Sequence, residues 1–295
     1  MRILNNEPMS RHTTFRVGGP AAEYRIPESP EELQTLVTEL HRENRPYRIL
    51  GNGSDLLVSD AGVPELVIEI RDALSGISLS EAATENGGRV LHVLSGTLLS
   101  QAAAYAQKEG LSGMEALHGI PGTVGGALVM NAGAYGTEIR DVLLRCEVLT
   151  KEGERQVMPA ADLALSYRHS CIPEKGYVVL SADFLLRPGD PAEILRKMQD
   201  YRQRRAEKQP LNKPSAGSTF KRPAGHFAGK LIEEAGLRGY RLGGAAVSEK
   251  HCGFVVNEDR ATAAELYQLI RQVSDRVYDH SGVRLEPEVK FWGSF

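Results

Sequence analysis

Three cysteines in 295 residues, Cys146, Cys171 and Cys252, are too few and too scattered for a disulfide scaffold, and no CxxC pair offers a zinc or dithiol centre. The 35 basic and 38 acidic side chains leave a net charge of -3, so the chain has neither a basic footprint for nucleic acid nor an acidic tail. No stretch approaches the ~18 uninterrupted apolar residues of a membrane span, and the opening MRILNNEPMSRHTTF has no apolar signal core. The eight histidines show no ligand spacing, so no metal site is expected. Gly51-Asn52-Gly53 lacks the third glycine of a dinucleotide fingerprint, and Gly225 to Lys230 is one spacer short of a Walker loop and has Leu231 where a magnesium-binding hydroxyl belongs. HExxH and GxSxG are absent as well. These absences predict a cytoplasmic small-molecule protein, a monomer, with no nucleic-acid or membrane partner.

What the chain does have is length and glycine. At 295 residues it can bury two cores. Half of its 30 glycines fall in two stretches, 110–136 and 217–244, which suggests two surfaces where bare backbone approaches a ligand.

Strand and helix signals alternate over 21–70 and continue along the chain. Ser29-Pro30-Glu31-Glu32 predicts a capped helix start, and Leu33, Leu36, Val37 and Leu40 form one apolar stripe. Strands are expected at Tyr24 to Ile26, Tyr47 to Leu50, Leu56 to Val58, Val67 to Ile70 and Val90 to Leu94, then near 142–149 and 177–186. A helix should run through Leu98, Leu99, Ala102, Ala103 and Ala106 to Gly110. Pro188-Gly189-Asp190-Pro191 breaks the chain before a charged helix over about 191–208 and reads as a domain boundary. Beyond it come a strand at Phe254 to Val256, a helix marked by Leu266, Leu269, Ile270, Val273 and Val277, and a terminal strand from Val283 to Trp292.

Two segments carry chemistry. The turn Gly51-Asn52-Gly53-Ser54-Asp55-Leu56 could nest an anion in its amides and the Ser54 hydroxyl, or be a plain hairpin turn. Gly119 to Ala127, leading into Asn131 to Gly136, could wrap a pyrophosphate or flat ring, or be a structural loop. Together with Thr13 to Gly19, Ser166-Tyr167-Arg168-His169-Ser170, Ala216 to Lys221 and Glu286-Pro287-Glu288-Val289, they resemble the bacterial UDP-N-acetylenolpyruvoylglucosamine reductases over nearly the whole chain.

That resemblance implies an α+β fold: a flavin domain of the vanillyl-alcohol-oxidase / p-cresol methylhydroxylase type made of two α+β subdomains, and a C-terminal α+β substrate-binding domain. The expected divisions are 1–72 joined by 283–295, then 73–190, then 191–282. It implies non-covalent FAD held by Gly51, Asn52, Gly53, Ser54, Asp55, Leu56, Ile120, Pro121, Gly122, Thr123, Gly125, Gly126, Asn131, Ala132, Gly133 and, through an R-x-x-K-x-P element, Arg205. Lys208 and Lys221 would meet the substrate, a UDP-sugar enolpyruvyl ether.

In the family, NADPH reduces that ether to a lactyl ether by way of the flavin. Hydride arriving at the methylene carbon leaves negative charge on the neighbouring carbon and carboxylate, so a fixed cation and a proton donor are needed. The resemblance assigns Arg168 as the catalytic arginine, Ser218 as the proton donor, with Lys221 as a contributor of charge, and Glu288 as the catalytic carboxylate. Period two puts Glu286 and Glu288 on one face of a terminal strand and does not choose between them; the family motif chooses Glu288. The short segment between Tyr167-Arg168-His169-Ser170 and the strand at Tyr177 leaves no room for a tyrosine-bearing flap, so the chain resembles the shorter subtype, with Arg238, Tyr240 and Arg241 as the suggested uridine side. A single pocket serving NADPH and then substrate would explain the missing Rossmann motif and predicts ping-pong kinetics. The alternative is another FAD oxidoreductase of the same fold acting on a sugar or hydroxy acid.

Overall fold

The computed structural model describes residues 1–80 and 87–295. From the N-terminus the chain forms β1 (Arg2–Pro8), β2 (Pro20–Ile26), α1 (Pro30–Arg42), β3 (Tyr47–Leu50), β4 (Leu56–Val58), β5 (Val63–Glu69), β6 (Ile77–Leu79), β7 (Arg89–Leu94) and α2 (Leu99–Lys108). It continues through β8 (Leu111–Ser112), α3 (Val124–Val129), β9 (Gly133–Ala134), β10 (Thr137–Glu138), β11 (Leu143–Leu149), β12 (Arg155–Pro159), β13 (Val178–Pro188) and α4 (Pro191–Lys208). The last part holds α5 (Ala228–Glu234), β14 (Arg241–Leu242), β15 (Ala245–Val247), β16 (Val255–Asn257), α6 (Ala263–Ser281) and β17 (Lys290–Trp292). Strands β1, β2, β5 and β3 form a four-stranded sheet in that order.

Local chemistry sets several of these bounds. The Ser29 hydroxyl accepts a hydrogen bond from the Glu32 amide at 3.2 Å, Pro30 supplies the first helical φ, and Leu33, Leu36, Val37 and Leu40 are buried as their spacing requires. The Glu32 carboxylate reaches back to the amide of Glu28, one residue before the cap. Helix α2 ends at Gly110, whose φ of +67° is the left-handed stop that glycine takes without strain.

The chain divides into two compact units, one of residues 1–3, 25–52 and 67–204, the other of 4–24, 53–66 and 205–295. In the first, an antiparallel sheet runs β12-β11-β13-β7-β6, with β8 on the end of β13. Central β13 is buried continuously from Val178 to Phe184, as a strand covered on both faces must be. Leu91, Val93 and Phe184 of the sheet join Leu99, Ala102 and Ala106 of α2 and Val124 and Leu128 of α3 in one core. Burial among apolar neighbours pushes the Cys146 thiol up to about 12, so it packs as an apolar group. The sequence signals give no expectation for β1, β6, β12, α3 or α5; α3 hides behind its paired glycines, which disfavour helix.

In the second unit, β14-β15-β16 forms a small antiparallel sheet whose Ala245, Val247 and Val255 pack with Leu231 and Ile232 of α5 and Leu266, Leu269, Ile270, Val273 and Val277 of α6. Helix α6 is closed at its start by a Thr262–Glu265 capping box and by the Asp60 carboxylate, which accepts from the amides of Ala263 and Ala264 at 2.9 Å each. Strand β17 pairs in parallel with β4. The expected terminal strand is therefore shorter than read: only Lys290–Trp292 is regular, and the preceding stretch makes a single bridge, Pro287 to Phe220. Pro287 has no N–H to extend a ladder.

Candidate functional site

Within the first unit, the Gly51-Asn52 turn and the Gly119 to Ala127 segment meet. The Asn52 side-chain amide donates to the Pro121 carbonyl at 2.7 Å, and a Cβ on Gly51 would lie 2.5 Å from Thr123 Oγ1. Thr123 is itself the cap of α3, accepting from the Gly126 amide at 3.3 Å. The amides of Val124 and Gly125 donate to the carbonyls of Thr97 and Ser95, so this part of the loop spends its N–H groups inside the protein. It nevertheless presents backbone: Gly119, Pro121 and Gly126 are exposed, with Ile120, Gly122 and Gly125 partly so. A glycine-rich, uncharged strip beside the start of a helix suits a flat ring or a diphosphate. By that test the residues present fit a flavin nucleotide.

Gly53, at the start of the second unit's share of the turn, has φ +58°, and a Cβ there would lie 2.0 Å from the His12 carbonyl oxygen. Thr14 donates its amide to the Gly53 carbonyl at 3.1 Å. Glycine is thus demanded by the turn's own packing. Ser54 and Asp55 are half-buried, while Leu56 is in the core.

Arg168 stands on the tip of a tight hairpin. Ser166 and His169 exchange backbone bonds, each amide donating to the other's carbonyl at 3.1 Å, so Tyr167 and Arg168 form the turn. Arg168 has φ +54°, a conformation that costs a side-chain-bearing residue about 1 kcal/mol or more. Its Nη2 donates to the Gly133 carbonyl at 3.3 Å, and its guanidinium lies over the Tyr167 ring, 4.8 Å from the centroid. Asn131, expected to face the cofactor, is completely buried. Its Nδ2 donates to the Ser166 carbonyl and to Glu138 Oε2, and its Oδ1 accepts from the Arg140 amide. Both side-chain hydrogens are committed inside the protein, which leaves that side chain nothing to offer a cofactor. Ala132, also expected there, is 9% exposed.

In the second unit the structure brings Ser218, Lys221, Glu286 and Glu288 together. Residues 215–221 run between two partners. On one side Ser215 bridges to Val256, Thr219 N donates to Gly253 O, and Thr219 Oγ1 accepts from the Val255 amide at 2.8 Å. On the other, the amide of Glu288 donates to Thr219 O and that of Lys221 to Glu286 O, each at 2.9 Å. Ser218 and Glu288 therefore sit on adjacent extended segments, with Ser218 exposed and Glu288 partly so. Period two left the two glutamates open, and the geometry separates them: exposed Glu286 forms an ion pair with Lys221, which engages the lysine expected to charge Ser218.

Arg205 is half-buried, with Nε donating to Gln209 Oε1 at 3.3 Å. Exposed Lys208 lies within the field of His251, whose pKa burial lowers and whose charged form Arg238 and Lys208 further disfavour. The suggested uridine-side residues are occupied elsewhere: Arg238 with Glu233, Tyr240 under the Arg276 guanidinium and bonded to Gln272, and Arg241 near Glu258. Among the described residues, no group of three or more His, Cys, Asp or Glu could hold a metal ion, and no helix is long and apolar enough to cross a membrane.

Comparison with known proteins matches residues 21–158 to the FAD binding domain family and residues 209–292 to the UDP-N-acetylenolpyruvoylglucosamine reductase C-terminal domain. The chain is 51% identical to the UDP-N-acetylenolpyruvoylglucosamine reductase of Agathobacter rectalis, over 99% of this chain and 95% of that one. It is 46% identical to the reductase of the same name from Clostridioides difficile, over 99% and 93%. The crystal structure of the UDP-N-acetylenolpyruvylglucosamine reductase of Thermus caldophilus superposes with a TM-score of 0.83 at 37% identity, covering 99% of this chain and 98% of that one.

Proposed function

This chain belongs to the UDP-N-acetylenolpyruvoylglucosamine reductase family, and from that membership we propose how its own residues carry the reaction. It is an FAD-dependent oxidoreductase of peptidoglycan-precursor synthesis that uses NADPH to reduce UDP-N-acetyl-3-O-(1-carboxyvinyl)glucosamine to UDP-N-acetylmuramate. Relatives named for this reaction do not favour an oxidase of sugars or hydroxy acids. When bound, FAD would supply the hydride relay between NADPH and the methylene carbon of the enolpyruvyl group. Gly51, Asn52, Ile120, Pro121, Gly122, Gly125 and Gly126 would hold it against bare backbone, with Gly53 to Leu56, Thr123, Ala132, Gly133 and Arg205 making up the rest of the expected set except Asn131, whose side chain is committed inside the protein.

Arg168 binds the substrate carboxylate. A guanidinium stays charged at every working pH and can grip two oxygens at once, so it stabilises the charge that hydride arrival leaves on the adjacent carbon. Ser218 gives its hydroxyl proton to that carbon, and Glu288, held next to it, polarises the intermediate. Lys208 and Lys221 reach the substrate's outer part; Lys221 must first exchange its Glu286 partner. A hydroxyl is a weak acid, so this role also needs positive charge nearby, which Lys221 would contribute. The assignment of Ser218 and Glu288 is supported by one observation: the Glu288 amide donates to Thr219 O and the Lys221 amide to Glu286 O, which fixes their segments beside each other.

Three free, buried cysteines suit a reducing compartment, and we place the enzyme in the cytoplasm as a monomer. Divisions at about 72 and 190, with 283–295 returning to the first part, belong to the same proposal. The test is a pair of anaerobic half-reactions. Ser218→Ala should still be bleached by NADPH and then reoxidise at least about a hundredfold more slowly with the enolpyruvyl ether. Reoxidation at the wild-type rate overturns the role of Ser218.

A further inference from the structure

Arg168 occupies backbone that disfavours any residue but glycine, φ +54°, so something must hold the turn. Two side chains do so, one at each foot. At the entering foot, Asn131 Nδ2 donates to the Ser166 carbonyl at 2.9 Å. At the leaving foot, the Ser170 hydroxyl donates to the Val129 carbonyl at 2.8 Å. Both anchors belong to one short segment, Val129 to Asn131, where α3 ends, and Ser170 is as good as buried, at 2% exposure. Asn131 is rigid in turn: its own φ is +40°, and its remaining bonds, to Glu138 Oε2 and from the Arg140 amide, are 3.0 Å each. Turning its amide over would set oxygen against two oxygens and nitrogen against an N–H, so its orientation is fixed.

We propose that Asn131 and Ser170 are positioning residues that clasp the Arg168 turn to the end of α3 and so hold the guanidinium ready for the substrate carboxylate. This rests on the role given to Arg168 above. Neither residue touches the reacting atoms. They act by making a strained conformation the only one available, so that Arg168 need not be ordered when substrate arrives. The clasp also accounts for a fully buried asparagine in this loop.

The experiment is a double-mutant cycle in the FAD-loaded protein. Ser170→Ala and Asn131→Ala each remove one clasp, and in each variant the rate of reoxidation by the enolpyruvyl ether is compared with its own rate of reduction by NADPH. Loss of one anchoring hydrogen bond at about 1 kcal/mol should slow reoxidation about fivefold to tenfold, and spectral titration of the oxidised protein with substrate should show a weaker Kd. On an Arg168→Ala background the same substitutions should change reoxidation less than twofold, because the residue they act through is gone. Should the costs multiply on that background, the two residues do not act through Arg168 and the clasp fails. If Arg168→Ala itself reoxidises normally, it is the role of Arg168 that falls. Ser170→Ala is the milder change, and if Asn131→Ala does not fold it decides the matter alone; full-speed reoxidation in Ser170→Ala overturns the proposal.

Discussion

Thr219→Val removes one oxygen and little else. Thr219 is fully buried, and its Oγ1 accepts the amide of Val255, which is 1% exposed. Valine fills nearly the same space and leaves that amide with no acceptor, at a cost of about 1–3 kcal/mol. At about 2 °C per kcal/mol, the lower end for large domains, the melting temperature should fall by about 4 °C. Thr219→Ser keeps the oxygen and loses one methyl, about 0.8 kcal/mol, so it should melt within about 2 °C of the parent. Thermal melts of the holoprotein followed by circular dichroism provide the assay. The order of the two variants is the critical result: a serine variant less stable than the valine one, or a valine variant indistinguishable from the parent, would refute the hydrogen-bond argument. The functional consequence is checked on the same samples. Thr219 O is the acceptor for Glu288 N, so loosening Thr219 loosens the register of Ser218 and Glu288, and substrate reoxidation should slow more in the valine variant than in the serine one.

Gly53→Ala combines a φ of +58° with a Cβ 2.0 Å from the His12 carbonyl oxygen; the obstacle is backbone, and the sum should exceed about 3 kcal/mol. Gly225→Ala, at φ +72° with nothing within 4 Å of the added carbon, should cost only about 1 kcal/mol. Equal melting temperatures for the two would show that the close contact carries no weight. His251 is held below its ordinary pKa by burial first, with Arg238 and Lys208 adding to the effect. The unfolded chain then binds a proton more readily than the folded one. Stability from this residue is complete above about pH 6.5 and declines as pH falls from there toward the lowered folded value. In urea melts at pH 7.5 and 5.5, His251→Gln should lose less stability on acidification than the parent, and equal losses would contradict the assignment.

Much of the fold was legible because periodicity and caps are local. The Ser29 cap, the α1 stripe, α4 at Pro191–Lys208 and the buried face of α6 all follow from residues a few positions apart. The failures share a different cause. Helix α3 is six residues of Val, Gly, Ala and Leu, a composition that propensity alone would not make helical; it stands because Thr123 caps it and because Val124 and Gly125 are fastened to Thr97 and Ser95. The alternation of apolar and polar residues through Val283 to Val289 suggests a longer terminal strand than forms, because this stretch meets residues 219–221 in one isolated bridge at Pro287, which has no N–H to pair with a further strand.

The candidate site divides in the same way. The Gly51 turn and the Gly119 segment, each given a chemical reading in the sequence, are joined by the Asn52 to Pro121 bond across 69 positions. What spacing could not separate was the work of residues within a motif. Glu286 and Glu288 differ by two positions, yet one is paired on the surface with Lys221 and the other is drawn in against Thr219. Asn131 and Gly133 are equally close, yet one commits its side chain inward to Ser166 and Glu138 while the other offers its carbonyl to Arg168. The first distinction arises from an ion pair and a backbone bond between segments more than 60 residues apart, the second from side-chain-to-backbone bonds between segments 35 residues apart, and such bonds leave no period in a sequence. A motif can therefore mark where an active arginine stands without marking what makes it stand there. In this chain the strained φ of Arg168 is the observable that connects the two, because a conformation that the residue would not choose must be imposed by its neighbours.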